Sequence, residues 1–541
     1  MTAPPPAHDA VVIGAGPNGL VAANRLLDAG WSVLVLEAQE VVGGAVRSDS
    51  AVHPDFVHDT FSAFYPLAAA SPAIRAFRLE DHGLRWRHAP AVLGHPQPDG
   101  SWAILHRDRE VTAKLMEAQC PGDGHAWLET CAEWDRIGHH LVGALLSPFP
   151  PVRSGLGALR RLRSVGGLRF VQSLLSPAVE LGRSRFGGES PRLLLAGNAG
   201  HSDIPLDAAG SGLMGLLLCM LGQTVGYPVP QGGAGQLTQA LARRVETLGG
   251  EIRCGARVQH VVVDRGRAIG AVAEDGERFA ARHAVIADVV APNLYGGLVR
   301  PEDLPAATMK AMQHFQLDPS TVKVDWALDG PVPWASPPPH APGTVHVADS
   351  VNQMSEALSQ VAAHAVPAQP FLLCGQMTTS DPTRSAAGTE ALWAYTHVPQ
   401  STDRDAGDGS IRGVWDRDDC ERFADRMQAR LESLAPDLSS RTIARRVLGP
   451  REMEAMNANL IGGSLNGGTA QIHQELIFRP IPATGRAETP VHNLYLGSAS
   501  AHPGGGVHGA CGMNAAKAAI AHARLAKLRW RPTSIGRTLA D

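Results

Sequence analysis

Three stretches of this sequence hold residue types, at workable spacing, that could bind and orient a reactive group. Gly14-Ala15-Gly16-Pro17-Asn18-Gly19 is a GxGxxG turn. In such a turn the first glycine allows the tight bend, the second lets backbone approach a pyrophosphate, and the third lets a helix pack close to its strand. The helix that opens there offers unpaired N–H groups and a positive dipole end to phosphate. Glu37, with Ala38 beside it, comes 18 residues after Gly19. An acid at that distance accepts hydrogen bonds from ribose hydroxyls and repels a 2′-phosphate. The second stretch is Val42-Gly43-Gly44-Ala45-Val46-Arg47-Ser48, whose paired glycines admit close backbone approach and whose Arg47 can grip a diphosphate with two parallel hydrogen bonds. The third lies near the far end: Gly497-Ser498, then His502, then Gly504-Gly505-Gly506-Val507-His508. Its two histidines could orient a ligand or accept a proton, although loop histidines beside a ligand more commonly serve as hydrogen-bonded spacers.

These residues need elements to position them. Residues 10–13 form an apolar strand, Leu20, Ala23, Leu26 and Leu27 repeat at helical spacing until Gly30, and residues 33–36 form a second strand. That βαβ opening puts the glycine turn at a strand end and Glu37 at the end of the next strand, the context a dinucleotide site requires. The fingerprint alone does not separate NAD from FAD. A loop-rich region follows to about residue 98, with short strands near Trp86 and at 102–105; residues 108–227 read as mostly helical. A helix at 235–248 precedes strands at 251–254, 258–264, 268–274 and 284–287. Further strands fall at 321–328, 371–376 and 391–398, and a helix at 418–434. The end repeats the opening logic: a strand at 494–496, a glycine loop, and a helix from 513 to about 528.

Composition bounds the class. With 541 residues, 44% hydrophobic and only 18% charged, the chain has ample material for a large buried core. A net charge of −4 gives no electrostatic reason to bind nucleic acid. The seven cysteines form neither CxxC nor CxxxxC, so a disulfide framework, zinc ribbon or redox pair lacks support and a cytoplasmic setting is expected. Residues 1–8 are proline-rich, with no basic start and no apolar run, unlike a signal peptide. Residues 208–242 carry no charge, but their dense apolar part, 213–221, is too short to span a bilayer and reads as a buried helix.

Weaker features have bland readings beside sharper ones. Lys323 and Asp325 share one face of a strand, opposite Val322, Val324 and Trp326, and read as an ion pair on a solvated face. His201, Asp203 and Asp207 precede the apolar helix that carries Met214 and Met220, a core helix that could also wall an apolar tunnel. Eight arginines between Arg153 and Arg192 interleave with leucines and meet only two acids, a solvated helix face that could also rest on anionic lipid. No residue set shows metal-ligand spacing. Cys511, in the closing glycine loop, reads as a small packing residue.

The glycine turn, Glu37 and Gly43-Gly44-x-x-Arg47-Ser48 together resemble the FAD-binding proteins of the phytoene desaturase and amine oxidase superfamily. The resemblance recurs at Pro230-Gln231-Gly232-Gly233-Ala234-Gly235 with Val258, and in the closing segment from Gly497 to Gly512. Within the superfamily, residues 321–328, Gly462-Gly463 and Phe478-Arg479-Pro480 point to one branch. The resemblance implies non-covalent FAD, with the backbone at Val258 at the adenine and the loop at Gly506, Val507 and His508 passing the flavin ring. It implies an α/β fold (α+β overall): a Rossmann-like FAD-binding domain in discontinuous segments, 1–80, 228–300 and 485–541, and an inserted sheet-plus-helix substrate domain, 81–227 and 301–484. The activity it implies is transfer of a hydride from a substrate carbon to flavin N5, desaturating an apolar carotenoid- or lipid-like molecule, with peripheral membrane contact as an accompanying expectation. Two rivals share the scaffold: an amine or amino-acid oxidase, which needs an aromatic cage, and a carrier of lipid or protein without turnover. No residue is singled out as catalytic.

Overall fold

The strand Ala7–Ile13 ends in four buried apolar residues, the pattern of a strand covered on both faces of a parallel sheet. Val33–Leu36 pairs with it in parallel, from Ala10 opposite Val33 to Ile13 opposite Leu36. Arg278–Ala287 runs parallel on its other side, followed by Leu494–Leu496, while Glu251–Arg253 lies outside Val33–Leu36. Val258–Asp264 and Arg267–Ala273 extend the sheet as an antiparallel pair. The parallel strands therefore finish along one edge, at Gly14, Glu37, Asp288 and Gly497, where open α/β sheets bind ligands. The computed structural model describes residues 7–482 and 485–529; residues 1–6, and the parts of the expected domain segments at 483, 484 and 530–541, lie outside the described residues.

Helix Pro17–Leu27 starts with proline at its first position, where φ is pre-set and no amide donor is lost. Its N-cap is Gly16 with no side-chain cap, so the Gly16 and Asn18 amides at the helix start remain open to a ligand. Gly235–Thr247 and Ala510–Arg529 pack on the same face, burying Leu20, Val21, Leu237, Leu241 and Ile520 in one core.

A second sheet runs in the order Thr442–Leu448, Ser320–Leu328, Glu390–Val398, Leu372–Gln376, Pro342–Val347, Ala91–Pro96, Trp102–Leu105. The alternation along Ser320–Leu328 sends Val322, Val324 and Trp326 into a core with Phe423 and Met427 of helix Arg417–Glu432. The opposite face carries Thr321, Lys323 and Asp325, aligned with His397, Tyr395 and Trp393 of the neighbouring strand. The reading of residues up to 98 as loop-rich misses Ala91–Pro96, a wholly buried strand despite its Gly94, His95 and Pro96. A helical layer from Arg109–Gln119 to Ser211–Thr224 covers the rest, and no helix among the described residues is long and apolar enough to cross a membrane.

Candidate active site

At the edge of the parallel sheet, backbone and carboxylates lock the glycine turn in place. The Ala15 amide donates to Glu37 Oε2 at 2.7 Å, and the Gln39 amide to Oε1 at 2.9 Å. Gly14 has φ +97°, a left-handed conformation that glycine adopts at no steric cost. A Cβ on Gly19 would lie 2.1 Å from the Gly14 carbonyl oxygen, so only glycine permits this approach of helix to strand. The Gly19 amide donates to Asp288 Oδ2 at 2.9 Å. Burial pushes the Asp288 carboxyl up to about 7 against that hydrogen bond, and Glu37 adds to the rise. Sequence reasoning did not single out Asp288; its only trace is an acid directly after an apolar strand.

This edge opens into a cavity of about 1070 Å³, at the top of the range of roughly 300–1,000 Å³ usual for small-molecule sites. Gly14, Gly16, Pro17, Asn18, Glu37, Ala38, Gly44, Arg47, Val258, Ser498, Gly506, Val507 and His508 all line it. Gly19, Gly43 and Gly497 stand just behind the wall: the Gly43 amide donates to Ala15 O at 2.9 Å and the Gly497 amide to Ala287 O at 2.8 Å. Two buried polar atoms in the lining, Arg47 Nε and Asn18 Oδ1, have no hydrogen-bond partner among the described residues. Burial lowers the Arg47 pKa, with Glu37 and Asp49 pulling the other way, and its guanidinium rests 5.4 Å from the Phe61 ring centroid. An unpaired buried guanidinium nitrogen beside open helix amides fits a diphosphate.

The closing loop carries both histidines as hydrogen-bonded groups. His502 Nε2 lies 3.0 Å from Ser147 O; His508 Nδ1 accepts from the Ala510 amide at 3.0 Å. Burial drives the His508 imidazole down to about 4, so it is neutral at physiological pH. Cys511 is buried behind the loop, with Sγ 3.4 Å from Ala501 O and its pKa pushed up to about 12 by burial. Glu475, also in the lining, accepts from Arg479 at 2.9 Å and is pushed up to about 7 by burial; sequence reasoning passed over it.

At its far end the cavity meets the second sheet and the helical layer. Leu145, Leu146, Leu174, Leu213, Met214 and Leu217 form an apolar wall, so the Ser211–Thr224 helix is both core and lining; Met220 stays in the core. Here the expectation of a solvated Lys323–Asp325 pair is overturned. Both side chains are buried, at 2% and 0% exposure, and pair directly; Lys323 lines the cavity. Alternation identifies which residues share a face but not what that face meets, which is the cavity rather than water. Burial would raise the Asp325 pKa, but Lys323, His58 and Arg446 outweigh it and hold the carboxyl below its usual range. Arg446 reaches Asp325 at 2.9 Å and Asp49 at 2.8 Å. His201 Nε2 sits 2.9 Å from His346 Nε2, and burial drives His201 down to about 3. Asp203 accepts from Thr469 and, at 2.8 Å, from the Ala470 amide.

A dinucleotide edge opens here into a large apolar chamber, and the comparisons set the class as a flavin-dependent oxidoreductase. Residues 12–79 match the NAD(P)-binding Rossmann-like domain, and residues 158–382 match the flavin containing amine oxidoreductase family. The chain is 28% identical to pyridine nucleotide-disulfide oxidoreductase domain-containing protein 2 of Mus musculus, across 94% of this chain and 93% of that one. It is 25% identical to the lycopene-forming phytoene desaturase of Pantoea ananas, across 94% and 98%. The fold matches that of putrescine oxidase bound to putrescine, with a TM-score of 0.57 at 19% identity over 96% of this chain and 99% of that one. Along nearly its whole length the chain is thus similar to the FAD-binding amine oxidase and phytoene desaturase superfamily.

Proposed function

We propose that the protein binds FAD non-covalently and dehydrogenates an apolar, lipid- or carotenoid-like molecule at a carbon–carbon bond. The observation that carries this reading is one continuous cavity, running from Gly14, Glu37 and Arg47 to the leucine wall at Leu174, Leu213 and Leu217. The division into domains follows from it: segments 1–80, 228–300 and 485–541 hold the cofactor, and 81–227 with 301–484 hold the substrate.

FAD, when bound, supplies the hydride acceptor at N5. The chain's own residues do the rest. The amides of Gly16 and Asn18 with Arg47 would hold the diphosphate, Glu37 the ribose, and the backbone at Val258 the adenine. Gly506, Val507 and His508 would flank the ring, with His508 neutral and its Nδ1 already committed to a backbone amide. The leucine wall excludes water from the reacting carbons. Non-covalent binding is supported by Cys511, which is packed against Ala501 and Gly504 rather than lining the cavity.

Helix Val152–Leu162 buries none of its side chains, exposes Val152, Leu156 and Leu159, and carries Arg153, Arg160 and Arg161. That surface supports peripheral contact with an anionic membrane. The free cysteines suit the reducing cytoplasm. The amine-oxidase reading is weakened at this wall because Asp325 is already matched by Lys323 and Arg446 and holds no free charge for a substrate cation.

Absorbance of the purified protein before and after denaturation tests the reading. A flavin spectrum that leaves with the filtrate after denaturation, and anaerobic bleaching by a long-chain apolar substrate, are expected. A colourless protein that FAD does not reconstitute would refute it and favour the carrier.

A further inference from the structure

The floor of the apolar chamber is polar, and three of its side chains hold unpaired polar atoms. Strand register places Thr344 opposite Gly375, Gly375 opposite Trp393, and Trp393 opposite Asp325, in one row across the sheet. Because Gly375 has no side chain, the Trp393 indole lies over it: a Cβ there would sit 2.7 Å from Trp393 Nε1. Trp393, Thr344 and Thr321 line the cavity, and Trp393 Nε1, Thr344 Oγ1 and Thr321 Oγ1 are buried with no hydrogen-bond partner among the described residues. Leaving such a group unpaired costs about 1–3 kcal/mol, and native proteins leave few. Three on one wall of one cavity point to a ligand that completes them.

The charges narrow its chemistry. Lys323 and Arg446 are matched by Asp325 and Asp49, so no uncompensated cation awaits a carboxylate. The same pairing leaves Asp325 and Asp49 no free charge to hold a substrate cation. The indole N–H can only donate, so the ligand atom against it must accept. A neutral oxygen remains.

We propose that the substrate is amphipathic: an apolar chain against Leu174, Leu213 and Met214, ending in a neutral carbonyl oxygen that accepts from Trp393 Nε1 and Thr344 Oγ1. This rests on the proposed function only in taking the cavity as the substrate site, and it narrows the apolar substrate to one with an oxygenated end.

The test uses the flavin-loaded protein and three nine-carbon probes, n-nonane, 2-nonanone and nonanoate, each displacing Nile red from the cavity. The ketone should displace the dye at about tenfold lower concentration than the alkane, the equivalent of one net hydrogen bond. Nonanoate should do no better than the alkane. In Trp393→Phe/Thr344→Val the ketone's advantage should fall to about threefold or less, and the carbonyl stretch of bound 2-nonanone should lose its shift to lower frequency. If the double variant does not fold, Thr344→Val alone must still lower the ratio. Equal displacement by ketone and alkane, as ordered water on these groups would give, overturns the proposal. So does tightest binding by nonanoate, or a ketone preference that survives the substitutions. The flavin spectrum of the same sample reports separately on the oxidoreductase reading.

Discussion

Asp288→Asn should stabilise the cofactor-free protein, by an amount that grows with pH. Asp288 is held at the end of its strand by one hydrogen bond from the Gly19 amide, with Glu37 nearby, and burial pushes its carboxyl from 3.8 up to about 7. Asparagine keeps an oxygen to accept from Gly19 and removes the titration. In the wild type, folded chains bind a proton here that unfolded chains release between pH 4 and 7. Stability therefore falls as pH rises through that window, and is level above it. Three pKa units at about 1.4 kcal/mol each amount to about 4 kcal/mol above pH 7. The gain of Asp288→Asn over wild type should thus be near zero at pH 4, about 1–2 kcal/mol at pH 5, and about 4 kcal/mol at pH 8. Urea unfolding midpoints of both apoproteins at pH 5, 6, 7 and 8 measure it. A difference that stays flat, or shrinks as pH rises, would show that Asp288 is ionised in the folded state and refute the argument.

Three further outcomes follow from the same geometry. Gly19→Ala, whose Cβ would fall 2.1 Å from Gly14 O, should separate helix from strand and leave a protein that purifies without flavin absorbance. Arg47→Met should weaken FAD binding by about 10- to 150-fold, the worth of charge-assisted hydrogen bonds, as read by FAD titration of apoprotein. Asp325→Asn strands Lys323 and Arg446 without a shared carboxylate and should cost about 3–5 kcal/mol at neutral pH. Because the folded Asp325 pKa is lowered, the wild-type advantage exists above about pH 4 and should fade below it, visible in urea midpoints across that range.

The edge built on the glycine turn was legible in the sequence because its requirements are local. A glycine at φ +97°, a proline at a helix start and an acid ending a strand leave marks within 25 residues. The helix and strand at residues 17–36, and the closing strand and helix, stand where periodicity placed them. Residues whose role depends on distant partners left little trace. Asp288 matters through Gly19, far away in the chain, and Ala91–Pro96 is a strand because Pro342–Val347 pairs with it, against its own turn-forming residues. The period of two along residues 320–328 sorted the polar from the apolar side correctly. It carried no information on whether the polar side met water or an enclosed chamber, since both tolerate a lysine and an aspartate.

The order of the parallel strands also bears on how the protein is made. Leu494–Leu496 pairs with Arg278–Ala287, which pairs with Ala7–Ile13. A ribosome emits the glycine turn first and the loop that completes its cavity last. Until Arg278–Ala287 emerges, the first strand has a partner for one side only, from residue 33 onward, and its other edge waits through more than 200 residues of synthesis. Exposed strand edges in nascent chains invite wrong pairings. The cavity itself is complete only once its last lining segment, from Ser498 to His508, has emerged.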